Sequence, residues 1–417
     1  MHAQDTITLK RALDIALKNN LGVQVQKNNI NIAHINNSYG MAGGLPLVNA
    51  TANDVEQTVN IKQKYSDAAN DKLANGVSSN NLSGALNASM LISNGYRVVT
   101  AKKRLNVQEE QSKRVLTSRE QIVAINVMLK YYDIIRQQSY AKTLQQSIDV
   151  SKQKLDIVKT QQSVGMANNA DLFQAQVDLN TQVQTLQQQQ LVVDQDKTDL
   201  LTLLTLNPDS TVSIVDTILI DTTIELKTIL NNITSHPDVI VAEEQVQVNK
   251  YIQRETAAQR YPSLSVNTAY TLGRTQSAAG FTLLNQTYGP AIGLGLTVPI
   301  FNGGIYKRQQ QVAGINIQNA QLLHDTIVNN YTANAVKNWQ AYQSNLEQLK
   351  KAQENYDLSQ KLLDLIIQRF QLRQSTIVDV KNAQQSFENA GYLLINLSYA
   401  AKSSEIQLKR YANQLSY

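Results

Sequence analysis

Few residues in this chain have the types and spacing that chemistry needs. The four histidines, His2, His34, His236 and His324, lie far apart and share no spacing that would gather them on a metal. Ser235-His236 and His324-Asp325 are adjacent, but neighbours in sequence rarely point at one another, and neither pair sits in a nucleophile or metal motif. There is no cysteine, which excludes disulfide frameworks, thiolate metal sites and a lipid-bearing Cys within the chain as given. The five scattered methionines give no soft-metal cluster. Gly40 to Gly44 breaks a helix before a strand and cradles no phosphate. No catalytic residue, cofactor or metal is therefore expected, and the chain does not read as an enzyme. The carboxylates that stand out are Asp171 and Asp379, each in the first turn of an expected helix, where an acid stabilises the helix dipole.

The elements around those carboxylates hang on two junctions. Val298-Pro299-Ile300-Phe301-Asn302-Gly303-Gly304 and its weaker twin Met90-Leu91-Ile92-Ser93-Asn94-Gly95-Tyr96 each end an alternating apolar run at an Asn-Gly. A helical pattern follows for about 70 residues, so the period changes from two to three or four across the junction. The Asn-Gly pairs lie 208 positions apart, and the same offset matches Ser151 to Ser359, Leu155 to Leu363, Asp171 to Asp379, Ala175 to Ala383 and Leu200 to Leu408. Upstream the offset becomes 216, matching Pro46 to Pro262. The chain is a duplication, too long in period for a solenoid.

Repeat 1 is expected over residues 1–204: helix 7–44 with a break near Asn19-Asn20, strands 47–61 and 82–93, long helix 95–164 and helix 168–204. Residues 64–81 read as a polar loop, and the phase of the first strand slips near Asn53-Asp54, as at a bulge. A linker or equatorial segment covers 205–222. Repeat 2 is expected over 223–417: helix 225–260, strands 263–276 and 289–301, long helix 303–372 and helix 375–412. Leu144, Ile148, Ser151, Leu155 and Val158 step by four and three, a coiled-coil seam. Leu172, Leu179, Leu186, Val193 and Leu200 recur every seventh position, and Val380, Phe387, Leu394, Ala401 and Leu408 stand at the matching places.

The net charge of +5 is spread among both signs, with no basic stripe interleaved with stacking aromatics, so nucleic acid is not an expected partner. No run of eighteen apolar residues gives a transmembrane helix. Alternating strands do not need one. A strand of about 12 residues, tilted near 45°, reaches roughly 28 Å, enough to span. A sheet in lipid must close, because an unpaired edge has no water to bond. Four strands per chain cannot close, and about eight leave an interior filled by side chains, so an open pore takes at least three chains. Tyr96, Tyr261, Phe301 and Tyr306 cluster at the strand–helix junctions as an interfacial aromatic belt would. Arg97, Lys102, Lys103, Arg104, Lys307 and Arg308 lie just beyond, within reach of headgroups or simply solvated. Met1 to Gln4 carry no signal segment; an exported chain would then be a mature form with a start Met or a vector remnant.

The chain resembles the TolC-like outer-membrane efflux proteins. The resemblance covers nearly the whole length. It rests on Thr8-Leu9, Ala12-Leu13 and Ala16-Leu17, on the strands opened by Pro46 and Pro262, on Val298 to Gly304, on Arg369-Phe370, and on Ser375-Thr376-Ile377-Val378-Asp379-Val380. It implies an α+β membrane protein: a homotrimer with one twelve-stranded barrel in the bacterial outer membrane and a helical coiled-coil tunnel in the periplasm. It implies a passive exit duct of a tripartite efflux or type I secretion system, fed by an inner-membrane transporter and a periplasmic adaptor protein. Outer-membrane lipid and sister chains are the other partners.

The resemblance also assigns residues. The hairpin turns Val164-Gly165-Met166-Ala167 and Leu372-Arg373-Gln374-Ser375 correspond to the periplasmic tips that meet the adaptor. The second departs from the family, with Arg373 where Gly is typical; Gly165 equally reads as a helix terminator. Asp379, with Asp171 as its counterpart, corresponds to a family aspartate near the constriction, where three copies form a cation-favouring ring. The next ring position is Asn382, which implies weaker cation selectivity. Arg369 would pair with a neighbouring Asp, and Phe370 falls at a constriction aromatic or packs in the coiled coil. The rival reading is a soluble periplasmic coiled-coil scaffold or adaptor, whose strands would bury one face against helices.

Overall fold

The computed structural model describes residues 5–279 and 282–415; His2 and the leader question at Met1 to Gln4 lie outside them. In chain order the elements are β1 (Asp5–Thr6), α1 (Leu9–Asn19), α2 (Leu21–Asn36), β2 (Leu47–Gln63), β3 (Lys72–Ser93), α3 (Arg97–Ser163), α4 (Asn169–Leu203) and β4 (Val212–Ser213). Then come α5 (Leu226–Asn232), α6 (Pro237–Ala258), β5 (Ser263–Ser277), β6 (Leu284–Thr297), α7 (Ile305–Gln371) and α8 (Ile377–Tyr411). α3 and α7 each run 67 residues, on the order of 100 Å at 1.5 Å per residue. No described helix is long and apolar enough to cross a membrane.

The chain forms two compact units, and each takes pieces from both repeats. One comprises the chain up to Asn29, Ser112–Ala242 and the chain from Leu323 on; the other comprises Ile30–Gln111 and Glu243–Leu322.

The first unit is helical. Thr8 caps α1 by accepting from the Arg11 N–H (3.3 Å), and Ala12, Leu13 and Ala16 turn into a core with Val123, Val127, Ile134, Leu200 and Leu204. β1 and β4 pair in parallel beside it. A second core joins the hairpins: Leu155 and Val158 of α3, Ala175 of α4, Leu363, Ile367 and Phe370 of α7, and Val380, Ala383 and Phe387 of α8. All five residues of the expected α3 seam, Leu144 to Val158, are buried. Between the apolar layers lies a polar one. Gln384 donates to the Ser147 and Ser151 hydroxyls (2.6 and 2.9 Å), and Glu388 accepts from Ser147 and from Gln182 (3.0 Å).

The expected helix 225–260 is broken in this unit. His236 has an extended backbone (φ −67°, ψ 134°) because the following Pro237 disfavours the helical region, and α6 restarts at the proline. His236 is fully buried against the Tyr331 ring. The neighbouring Asp238 carboxylate accepts from Ser118 (2.5 Å) and Tyr331, with Arg410 at 4.0 Å.

The second unit holds an antiparallel sheet of order β2-β3-β5-β6. Residues directly opposite one another share a face, and the register builds apolar rows across it: Ala50–Leu86–Tyr270–Pro290, Val48–Ala88–Thr268–Ile292 and Met90–Val266–Leu294. The other face carries Asn49–Asn87–Ala269–Ala291 and Ser89–Asn267–Gly293. The apolar rows are bare in the chain, with Ile292 83% and Leu294 76% exposed.

Three strand expectations need correction. The loop expected at 64–81 is shorter, because β3 begins at Lys72 and pairs up to Gln63. Backbone pairing with β2 holds this polar stretch, which has no apolar alternation to mark it. The register shift lies between Val59 and Ile61, and Asn53 and Asp54 pair in phase with Ser83 and Leu82. β6 ends at Thr297, short of 301, because Pro299 has no N–H for the ladder.

Burial holds the His236 ring neutral: its pKa falls from 6.5 to about 4, with Asp238 opposing and Arg410 reinforcing the shift. The folded state therefore binds fewer protons, and stability is lost as pH drops from 6.5 towards 4, by about 3 kcal/mol. Melting temperature measured between pH 7 and 4 should fall along that window, and His236→Gln should flatten the slope. Phe387→Ala should cost about 3–5 kcal/mol against less than about 0.5 for Gln176→Ala on the exposed face, read from the same melts.

Candidate functional site

The two hairpin turns lie side by side in the first unit. Arg373 donates to the Met166 carbonyl (3.3 Å), and Gln161 donates to that of Phe370 (3.5 Å). Their backbones repeat one design. In the first, the Gly165 and Met166 N–H groups donate to Gln162 and Gln161 carbonyls (2.9 and 2.7 Å). In the second, Arg373 and Gln374 donate to Phe370 and Arg369 (3.1 and 2.7 Å). Both are Schellman closures, which place one residue in the left-handed region. Gly165 (φ 74°) and Arg373 (φ 62°) occupy it, 208 positions apart. A left-handed residue with a Cβ costs roughly 1–2 kcal/mol, so the second tip carries strain that the first avoids. Val164, Met166 and Leu372 stand exposed at these turns, as does Gln374; Ser375 is half-buried and donates to the Ile366 carbonyl (3.1 Å).

Helix starts follow each turn. Asn168 caps α4 by accepting from the Asp171 N–H (2.8 Å). Thr376 and Asp379 form a capping box on α8: the Asp379 N–H donates to Thr376 Oγ1 (3.2 Å), and Asp379 Oδ2 accepts from the Thr376 N–H and hydroxyl (both 2.8 Å). The Thr376 N–H bond, then the hydroxyl bond and the nearby Arg369, hold the exposed Asp379 carboxyl below its ordinary value. It is therefore charged at neutral pH. Asn382, one turn on, is also exposed, and Asp171 is half-exposed.

Two of the expected residues have partners within the chain. Arg369 donates to the Gln374 carbonyl (3.0 Å) across its own turn and stands near the Asp379 carboxylate. Phe370 is buried in the hairpin core, so its ring fills the coiled coil. Sequence reading missed a charged knot just behind the tips. Lys154, fully buried, donates to Asp178 (2.7 Å), which also meets Lys381 (3.3 Å). Burial alone would raise the Asp178 pKa, but the bonds from Lys154, Gln174 and Lys381 bring it below the ordinary value. The signal was a lysine at an inward step of the α3 seam, 147-151-154-158.

At the strand–helix junctions of the second unit, Tyr96 (φ 64°), Tyr261 and Phe301 are exposed and Tyr306 is half-buried.

Long helical hairpins and a small antiparallel sheet with one apolar face are the build that comparison with known proteins also finds. Residues 230–414 match the family model described as Outer membrane efflux protein. The chain shares its fold with VceC of Vibrio cholerae (TM-score 0.77, 17% identity, 97% of this chain and 95% of that one). It is likewise similar to CmeC of Campylobacter jejuni (0.79, 18%, 99% and 89%) and to the open state of MtrE of Neisseria gonorrhoeae (0.67, 16%, 97% and 88%). At these identities the structural likeness speaks for the fold alone. No curated protein sequence matches the chain. The family match over residues 230–414 and the fold shared along nearly the whole chain make this chain similar to the outer membrane efflux proteins, which are bacterial outer-membrane channels.

Arg373→Gly should relieve the left-handed strain and raise the melting temperature, by about 1 kcal/mol in stability. A fall would show that the Arg373–Met166 bond outweighs the strain. Thr376→Ala should remove the capping box at a cost of about 1 kcal/mol, measured the same way.

Proposed function

We propose that this chain is the exit duct of a tripartite efflux or type I secretion system, passively releasing substrates brought by an inner-membrane transporter and a periplasmic adaptor. The observation that carries this reading is the bare apolar face of the four-stranded sheet, ending in two strands, β2 and β6, with one unpaired edge each among the described residues. Lipid covers such a face, and in lipid both edges need partners. Three chains supply twelve strands, and β6 of each then pairs with β2 of the next. The scaffold reading requires helices over one sheet face, and the exposure of Ile292, Leu294 and Leu296 speaks against that.

In this assembly Tyr96, Tyr261, Phe301 and Tyr306 lie near the interface between lipid and water. Val164, Gly165, Met166, Leu372, Arg373, Gln374 and Ser375 meet the adaptor, with three exposed apolar side chains as anchors. Three Asp379 carboxylates gather round the axis with Asn382 beside them. The capping box ties up one oxygen of each and keeps the group ionised, so the ring favours cations.

Single-channel recording in planar bilayers tests this. The wild type should give cation-selective currents that a trivalent cation blocks from the side of the hairpin turns, and Asp379→Ala should weaken the block. Block and selectivity indifferent to the substitution would remove the ring and keep the duct. A protein that is soluble without detergent and forms no pore would sink the duct.

A further inference from the structure

Where β3 hands over to α3, the turn Asn94-Gly95-Tyr96 walls a cavity of about 430 Å³. That lies within the roughly 300–1,000 Å³ of small-molecule sites. Its polar lining includes Asn94, Arg97, Tyr261, Ser263, Thr297 and Tyr306, and no lining residue is acidic. Gly95 makes the wall possible. Its φ is 64°, and a Cβ there would come within 2.8 Å of the Tyr261 ring, so the tyrosine packs directly on the glycine backbone.

Asn94 is 9% exposed, and its Oδ1 accepts from the Val98 N–H (3.3 Å), which fixes the orientation of the amide. The Nδ2 group is then a buried donor with no partner. A buried unpaired donor is costly, and an acceptor in the cavity removes the cost. Beside it stand Arg97 and the positive end of α3. Among the described residues no side-chain acceptor holds the Arg97 guanidinium. Donors and positive charge, with no carboxylate, select an oxyanion.

The repeat sharpens the point. At the second junction Asn302 matches Asn94, but Ile305 stands where Arg97 is and Gly304 where Tyr96 is. The strand-to-helix turn therefore forms without the cation, and folding does not account for Arg97.

We propose that this cavity binds an oxyanion, a phosphate or carboxylate group, through Arg97 and the Asn94 amide. Leu91, Ser263 and Thr297 belong to the polar face of the sheet, opposite Met90, Leu264 and Leu296. Binding at this cavity does not depend on the duct reading.

The test is calorimetric titration of the detergent-purified full chain with inorganic phosphate at pH 7. In parallel, native mass spectrometry scores retention of phosphatidylglycerol added to the micelles. Arg97→Gln should weaken binding by about tenfold or more, the loss expected for a charged hydrogen bond. Asn94→Asp keeps the acceptor for Val98, replaces the donor with a negative charge, and should weaken binding at least as much. Lys350→Gln, exposed on α7, should change nothing. Saturable phosphate binding lost in both cavity variants assigns a soluble oxyanion; phosphatidylglycerol retention alone, lost in both, assigns a lipid headgroup. Binding of neither probe, or binding that survives both substitutions, overturns the proposal. Bilayer recording of the same preparations separates the two readings: a wild-type pore that binds no oxyanion sinks this site and leaves the duct standing.

Discussion

The structure depends on one constraint: a β-strand edge in lipid has nothing to bond to. Every described strand of the sheet is paired on at least one side, and β2 and β6 are paired on one side only. In water such edges are hydrated or blunted; in hydrocarbon each unpaired N–H and C=O costs several kcal/mol. A bare apolar face and two open edges are unstable features of a lone chain, and on the duct reading they belong to one third of a barrel. The repeat fits the same logic, because each copy contributes one strand pair followed by one helical hairpin.

The hairpins solve a different problem with the same economy. Two 67-residue helices need a continuous seam, and α3 supplies one with Leu144, Ile148, Leu155 and Val158 buried. The seam is not uniformly apolar. Ser147, Ser151, Gln384 and Glu388 form a polar layer, and Lys154 and Asp178 an ionic one. A purely apolar seam can slip by a heptad at little cost, whereas a buried donor that loses its acceptor is penalised. These layers therefore fix the register that brings the two turns side by side.

Much of this was legible in sequence, and the failures have physical causes. The apolar rows of β5 and β6 read directly as alternation, because one face of these strands carries an apolar residue at nearly every second place. The start of β3 at Lys72 did not read, because backbone pairing with β2 holds it and no apolar alternation marks it. The break at His236 was marked by Pro237 and was missed in favour of the flanking helical periodicity. At the tips, Gly165 announced a left-handed turn; Arg373 concealed an identical one, since only the 208-residue offset and the backbone bonds reveal it. The capping partner Thr376 was missed, although the spacing Thr-x-x-Asp carries its signal. The polar layers were invisible as a network, because their members come from three helices far apart in sequence.

On the duct reading, β6 of one chain pairs with β2 of the next to close a ring of three. The chain has no cysteine, so introduced pairs can be mapped without background. Thr51→Cys on β2 would be combined in turn with Ala291→Cys, Gly293→Cys and Gly295→Cys on the same face of β6, and the membrane-embedded protein oxidised and run without reducing agent. At least one pair should give a covalent trimer as the largest species, absent from each single-cysteine variant and reversed by reduction. No species above monomer for any pair, or a ladder running on past three chains, would contradict the closed trimeric barrel.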